Sequence, residues 1–194
     1  MTPPEEAELT PDGADNAESE RGSAGTSVRG SRVRLFAVVA LIALALDILT
    51  KVLIVSNTQG HQPKRILDGA IYLDVTRNSG AAFSLGTGFT VILTIIALAV
   101  VLVIIRTARR MRSLGWAICL GLILGGALGN LVDRIFRAPG IGRGHVVDFI
   151  SAFGPDGVHW PIFNIADSCI VCGAILAAIL ALRGTELDGT SARG

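Results

Sequence analysis

Four long apolar segments constrain the fold of this chain more than any other feature. They cover residues 35–55, 89–105, 114–131 and 162–182. Each is close to the ~17–25 residues that a helix needs to cross the hydrocarbon core of a bilayer. We therefore expect an all-α membrane protein with four transmembrane helices.

The composition agrees with the membrane class. Of the 194 residues, 51% are hydrophobic and only 17% are charged, which is unusual for a soluble domain of this length. The net charge of +1 gives no reason to expect a nucleic acid partner. Residues 1–33 begin acidic, lack apolar periodicity and do not resemble a secretory leader, so we expect a disordered cytoplasmic tail. Residues 184–194 are expected to form a second cytoplasmic tail.

Arginines are distributed unevenly around the four segments, and this predicts their direction. Arg29, Arg32 and Arg34 precede the first segment, Arg106, Arg109, Arg110 and Arg112 fill the link between the second and third, and Arg183 follows the fourth. By the positive-inside rule these positions mark the cytoplasmic side, which places both termini there. Basic residues also occur in the outer loops, so the dense four-arginine link decides the orientation.

Acidic and amide side chains gather near the outer ends of the segments. Asp47 lies in the outer half of the first segment, Asn130 and Asp133 end the third, Asp167 begins the fourth, and Asp148 lies in the loop between these two. A chain keeps polar groups at membrane depth where they pair, line a wet cavity or do chemistry. We therefore expect the functional site to lie at the outer face of the membrane.

The connecting segments add two structural expectations. Outer loop 56–88 mixes β-branched and aromatic residues with Gly and Asn, which predicts short strands resting on the membrane surface. Outer loop 135–159 is punctuated by Gly and Pro and predicts a loop with one or two helical turns. Gly121, Gly125 and Gly129 recur every four residues of the third segment, which predicts close approach of another helix.

Asp148 and Asp167 flank a short loop and are predicted to meet as a carboxylate pair. Two carboxylates held close in a partly dry site cannot both ionise cheaply, so one proton is shared and the pair titrates as a unit. Such a pair supplies a general base and a general acid together, as aspartic proteases require. Asn164 precedes Asp167 by three residues and can hydrogen-bond near it. Taken alone, the residues also allow two separate structural aspartates.

Asp47 and Lys51 are four residues apart and can face each other on a helix. This spacing allows an intramembrane ion pair or a role in substrate positioning. A Ser/Lys dyad with Ser56, Ser79 or Ser84 is a further alternative, although no motif frames these serines.

Other polar residues favour structural interpretations. Asp133, within reach of Asn130 and Arg134, is expected to pair with an arginine as an end-of-helix cap. His145 and His159 bracket Asp148 without the close ligand spacing of a metal site. The cysteines, Cys119, Cys169 and Cys172, lie in apolar stretches and are expected to be buried packing thiols.

Five blocks of sequence resemble a known family. They are Asp47-Ile-Leu-Thr-Lys51, Asn78-Ser-Gly-Ala-Ala-Phe83, Gly129-Asn-Leu-Val-Asp-Arg134, Val146-Val-Asp-Phe149 and Phe163-Asn-Ile-Ala-Asp167. In this order they resemble the signature blocks of the lipoprotein signal peptidases (signal peptidase II), and the resemblance runs from about residue 34 to 182. The acidic tail lies outside it.

The resemblance implies a bacterial inner-membrane aspartyl endopeptidase with four transmembrane helices and a small extracytoplasmic β-cradle. Its substrates would be diacylglyceryl-modified prolipoproteins, cut before the lipidated cysteine. The catalytic pair corresponds to Asp148 and Asp167. Supporting or substrate-binding residues correspond to Asp47, Lys51, Asn78, Asn130, Asp133, Arg134 and Asn164. No metal or other cofactor and no nucleic acid is expected, and the enzyme is expected to contact membrane lipid and to act as a monomer.

Two rival functions come from other classes. A small proton-coupled carrier would use intramembrane carboxylates as a relay, but the polar groups gather at one face and no internal repeat is present. A non-catalytic membrane scaffold would tolerate replacement of its carboxylates.

Overall fold

The computed structural model describes residues 12–80 and 87–190 of the chain. Its four long helices are α1 (Asp12–Thr58), α2 (Thr87–Ala108), α3 (Leu114–Phe136) and α4 (Ile165–Leu182). All four contain stretches long and apolar enough to cross a membrane, which confirms the predicted four-helix membrane fold. We call the end of the bundle with the α2–α3 link the arginine end, and the opposite end the site end.

Helix α1 extends further toward the N-terminus than the sequence predicted. Its backbone is helical from Asp12, inside the segment 1–33 that we expected to be disordered. Extending an existing helix costs much less than nucleating a new one, so the stable membrane-length part of α1 favours helix in the residues before it. The first eleven residues of the predicted tail lie outside the described residues.

Helix α3 is the centre of the bundle because its small residues let neighbouring helices approach closely. A Cβ atom added at Gly121 would lie 2.9 Å from the carbonyl oxygen of Phe36, and one at Gly125 would lie 2.6 Å from that of Ala40. At Gly173 of α4, an added Cβ would lie 2.8 Å from the carbonyl oxygen of Cys119. The predicted glycine stripe therefore packs against the backbone of α1.

The arginine end is closed by the chain that follows α4. The backbone N–H groups of Arg112 and Ser113 both donate to the carbonyl oxygen of Leu187, at 2.9 and 3.1 Å. The Trp116 indole N–H donates to the carbonyl oxygen of Thr185 at 2.8 Å. Leu187 also packs against the apolar core built from α1, α2 and α3, so the predicted C-terminal tail is folded up to this point.

Three strands form an antiparallel sheet at the site end. Strands β1 (Lys64–Ile66) and β2 (Ile71–Asn78) confirm the strands expected in the first outer loop, and β3 (Val146–Ala152) joins them in the order β1-β2-β3. The prediction of a loop for residues 135–159 missed β3. Its Val, Phe and Ile residues favour a strand, but the surrounding Gly and Pro residues obscured that signal.

The sheet and helices are tied together at several points. Thr76 of β2 lies opposite Asp148 of β3 in the strand register. Thr90 of α2 donates its hydroxyl to the carbonyl oxygen of Ser79 at 2.5 Å, and Thr94 donates to that of Gly142 at 3.0 Å. The start of α2 is thereby held against both loops of the site end.

Replacing Gly125 with alanine is expected to destabilise the protein by about 1–3 kcal/mol, because the new methyl group would overlap Ala40 and Ala43 of α1. Thermal unfolding in detergent micelles measures the effect. Gly140→Ala is the matched control, since an added Cβ there meets nothing within 4 Å. Equal unfolding temperatures for the two variants would contradict the proposed close packing.

Candidate active site

Asp167 is positioned by the start of α4. Asn164 caps this helix: its side chain accepts a hydrogen bond from the Asp167 N–H at 2.9 Å, and the Asp167 carboxylate accepts one from the Asn164 N–H at 3.2 Å. This reciprocal capping box fixes the side chain of Asp167 in the first turn, where the helix dipole favours a negative charge. The predicted contact between Asn164 and Asp167 is confirmed.

Asp148 is held on β3 by two amide side chains. Asn78 of β2 donates to Oδ2 of Asp148 at 2.8 Å, and Asn164 donates to Oδ1 at 2.6 Å. Burial, the largest effect, raises the pKa of Asp148 to about 6. The negative charge of Asp167 also raises this pKa, while the two hydrogen bonds lower it.

Two amides connect the aspartates. Asn164, which donates to Asp148, also donates to the side-chain oxygen of Asn130 at 3.2 Å. Asn130 in turn donates to Oδ1 of Asp167 at 2.7 Å. The chain Asp148–Asn164–Asn130–Asp167 thus uses residues from β3, α3 and α4, and it fixes the orientation of both amides because each must present its nitrogen to a carboxylate.

Both carboxylates line one cavity of about 620 Å³ at the junction of sheet and bundle. Its other lining residues are mostly apolar and come from the segment before α4 and from α4 itself: Trp160, Pro161, Ile162, Phe163, Val171 and Cys172. Val171 is 56% exposed on the outer surface of the bundle, so the cavity reaches the side of the protein that would face lipid.

A buried charge cluster lies behind the pair. The Lys51 ammonium is 2.7 Å from Oδ2 of Asp47, 2.9 Å from Oδ2 of Asp133 and 3.2 Å from the side-chain oxygen of Asn130. Lys51 and Asp47 are 1% and 0% exposed and are not among the residues that line the cavity. The geometry therefore favours the predicted ion pair over direct substrate positioning.

The two carboxylates of this cluster also hold the backbone next to each member of the pair. Oδ1 of Asp47 accepts the N–H of Ala166 at 2.9 Å, and Oδ2 of Asp133 accepts that of Val147 at 3.1 Å. Ala166 and Val147 are the residues immediately before Asp167 and Asp148. Sequence reasoning missed these contacts because backbone donors leave no residue signature.

The arginine partner of Asp133 is Arg137, whose Nε donates to Oδ1. The prediction left this partner open and emphasised Arg134, although the i,i+4 spacing to Arg137 was visible. Arg134 is instead close enough to Asp148, Asp167 and Asp133 to be attracted by all three. Its Nη1 atom is buried without a hydrogen-bond partner among the described residues.

The alternative Ser/Lys dyad is supported by no contact at Ser56. Lys51 is surrounded by its three partners and Ser56 donates to the carbonyl oxygen of Leu53, so the geometry does not favour a dyad of these two residues. Ser84 lies outside the described residues. Residues 81–83 of the Asn78 block lie outside the described residues as well.

The histidines, cysteines and acidic residues bear on two further predictions, the absence of a metal site and the burial of the thiols. Across residues 12–80 and 87–190, no group of three or more His, Cys, Asp or Glu side chains is placed to hold a metal ion. Cys119 is buried as predicted, whereas the expectation was wrong for Cys172, which is exposed at the rim of the cavity.

Comparison with known proteins places this arrangement in a family. Residues 39–183 match the family described as Signal peptidase (SPase) II. The lipoprotein signal peptidase of Rhodococcus jostii is 50% identical over 176 residues, which cover 90% of this chain and 86% of that protein. That of Streptomyces coelicolor is 52% identical over 159 residues, covering 82% and 76% of the two chains.

This chain belongs to the signal peptidase II family. A solved structure described as a bacterial membrane enzyme, determined by the in meso method at 1.9 Å resolution, superposes with a TM-score of 0.68 at 28% identity. The match covers 77% of this chain and 94% of the other. Membership of this family confirms two predictions, that the chain is an aspartic endopeptidase and that it is a multi-pass bacterial membrane protein. It does not favour the alternative of a proton-coupled carrier.

Replacing Lys51 with methionine is expected to destabilise the peptidase by about 3–5 kcal/mol, because Asp47 and Asp133 would lose their shared buried countercharge. Chemical unfolding in detergent micelles measures the loss. Lys64→Met removes the same charge from an exposed site on β1 and is expected to change stability little. A Lys51 variant as stable as the Lys64 variant would show that the cluster does not hold the bundle together.

Proposed function

We propose that Asp148 and Asp167 are the catalytic pair with which this peptidase removes signal peptides from prolipoproteins. The observation that carries the assignment is the amide chain through Asn164 and Asn130, which aims both carboxylates at one cavity. Family membership makes prolipoproteins the substrate class. We further propose that the substrate carries diacylglycerol and is cut before the lipidated cysteine.

The different environments of the two aspartates support opposite roles for them. Asp148, with a pKa of about 6, holds a proton over the mildly acidic range and acts as the general acid. Asp167, in the first turn of α4, acts as the general base. The division follows the rule that paired titratable groups in unlike environments take opposite roles.

Cleavage then proceeds in two steps. Asp167 takes a proton from water as the water oxygen attacks the scissile carbonyl carbon, and Asp148 gives its proton to the carbonyl oxygen. In the second step Asp167 returns its proton to the departing amide nitrogen, the C–N bond breaks, and Asp148 recovers a proton from the hydroxyl of the tetrahedral carbon. The unpartnered Nη1 of Arg134 is available to bind a substrate carbonyl nearby.

The apolar wall of the cavity fits a lipid-bearing substrate. Trp160, Ile162 and Val171 line a path from the carboxylates to the outer surface of α4. We infer that the signal helix and its acyl chains enter sideways from the bilayer along this wall. Because every residue of the proposed machinery comes from one chain, we expect the monomer to be active.

The distribution of arginines supports a location in the bacterial cytoplasmic membrane with both termini cytoplasmic. The arginine end carries Arg106, Arg109, Arg110 and Arg112 in one short link, and positive residues accumulate on the cytoplasmic side. Asp148 and Asp167 would then work at the outer surface, where an exported precursor presents its cleavage site.

Asp148→Asn and Asp167→Asn are each expected to lower the cleavage rate by about 10²–10⁴-fold, because each removes one proton-transfer partner while keeping the size of the side chain. The assay uses purified protein with lipidated and unlipidated precursors of the same sequence, in the presence of a chelator. Only the lipidated precursor is expected to be cut, at a rate that the chelator does not change.

Asp68→Asn is the matched control, since Asp68 is an exposed carboxylate at the sheet and pairs only with Arg65 among the residues described. It should cleave like the unchanged enzyme. Cleavage at near normal rate by the Asp167 variant would end the dyad assignment, and equal cleavage of both precursors would end the assignment of lipid specificity.

The pKa of Asp148 predicts a pH dependence. Since the general acid must be protonated, kcat/KM is expected to decline as pH rises through about 6. Asn78→Ala removes a hydrogen bond that stabilises the ionised form, so the pKa should rise and the alkaline limb should move upward by about one pH unit.

Asn57→Ala serves as the control for this experiment, because within the described part of the chain the Asn57 side chain hydrogen-bonds only to Leu53 and Ser56 of its own helix. Its pH profile should match that of the unchanged enzyme. An alkaline limb that stays in place or moves to lower pH in the Asn78 variant would contradict Asp148 as the acid.

A further inference from the structure

A second cavity at the site end is lined by cationic side chains and takes no part in the proposed reaction. Its volume is about 470 Å³, and Arg77, Phe136, Arg137, Ala138 and His145 line it. Arg77 precedes Asn78 on β2, and adjacent strand residues point to opposite faces of a sheet. The strand that supports Asp148 through Asn78 therefore presents Arg77 away from that carboxylate.

Of the two guanidinium groups that line the cavity, that of Arg137 shares its carboxylate partner, Asp133, with Lys51, and that of Arg77 has no salt bridge among the described residues. No carboxylate belongs to its described lining. The nearby acid Asp133 is already occupied, with Oδ1 accepting Nε of Arg137 and Oδ2 accepting the Val147 N–H and lying 2.9 Å from Lys51. Arg77 donates to a neutral partner, Gln59, at 2.8 Å.

The two guanidinium groups are close enough to repel each other. Partial burial and the charge of Arg137 both lower the pKa of Arg77, while the charge of Asp133 raises it. Arg137 uses Nε for Asp133, and its Nη atoms have no hydrogen-bond partner among the described residues. Two guanidiniums with unused donors, beside the imidazole of His145, form a site that an anion would complete.

The shape and position of the site favour a phosphate group on a lipid. Guanidinium forks bind phosphate oxygens in pairs, and an anionic lipid also brings a net negative charge to a lining that contains no carboxylate among the described residues. Phe136 ends α3, where a transmembrane helix reaches the level of the headgroups, and it is 79% exposed beside the arginines. At this depth the phosphate of a lipid could contact the arginines while its acyl chain packs against the ring of Phe136.

We propose that this cavity binds the phosphate of an anionic phospholipid from the leaflet next to the sheet, held by Arg77, Arg137 and His145. Bound phosphate would relieve the repulsion between the two arginines. It would also fix Arg137 against Asp133, and so support the charge cluster behind the catalytic pair.

Binding of phosphatidylglycerol and phosphatidylcholine to detergent-solubilised full-length protein, measured by native mass spectrometry, tests the proposal. Phosphatidylglycerol should bind more tightly, and Arg77→Gln should weaken its binding by at least about tenfold. His145→Gln, which leaves the strand pairing of β2 intact, should weaken it as well. Arg143→Gln is the control, because Arg143 is exposed in the same loop but does not line the cavity.

Three outcomes would overturn the proposal. Equal loss of affinity in the Arg77 and Arg143 variants would show general charge attraction only. The folding of the His145 variant is checked by circular dichroism. If this variant binds phosphatidylglycerol as tightly as the unchanged protein does, the cavity is not the binding site. Inorganic phosphate that binds as tightly as phosphatidylglycerol would identify a free-anion site in place of a lipid site.

Discussion

The rest of the structure depends on how Lys51 is buried. An ammonium group withdrawn from water costs several kcal/mol unless opposite charges surround it closely. Asp47 of α1 and Asp133 of α3 supply them at 2.7 and 2.9 Å. Each carboxylate also accepts a backbone N–H, that of Ala166 for Asp47 and that of Val147 for Asp133, and Asp133 accepts from Arg137 as well. One buried cation therefore fixes two helices to each other, and through them it fixes the chain just before Asp167 and just before Asp148.

This arrangement separates the residues that hold the proposed site from those that would react. The charge cluster is fully buried and lies behind the amide chain, whereas Asp148 and Asp167 line the cavity. Asn130 belongs to both parts, since it accepts from Lys51 and donates to Asp167. Because that amide has only one oxygen and one nitrogen, contact with Lys51 determines which of its ends faces Asp167. The position of the Lys51 ammonium therefore sets the orientation of the Asn130 amide, and that amide holds the Asp167 carboxylate.

Sequence reasoning recovered the features that repeat or stand close along the chain. The four spans, the glycine stripe, the Asp47–Lys51 pair and the Asn164–Asp167 cap all depend on spacings of three or four residues or on long apolar runs. It missed β3 and the contact of Lys51 with Asp133, which joins residues 82 positions apart by number. Such contacts depend on how α1 and α3 pack, and no local pattern encodes that. The backbone of residues 12–29 was also misjudged, because composition describes an isolated segment and not one attached to a stable helix.

The junction between sheet and bundle reconciles two conflicting demands on a membrane peptidase. Water and ionised carboxylates are costly within lipid, but the lipid-anchored substrate that we propose cannot leave the bilayer. In this structure Asp148 reaches the cavity from the sheet and Asp167 reaches it from the first turn of a membrane helix, so both line the space where the two environments adjoin. A pair built on two membrane helices would lie deeper, where bringing in water and polar amides costs more. A pair built wholly on the sheet would lack the apolar wall that Val171 provides at the lipid-facing side of the cavity.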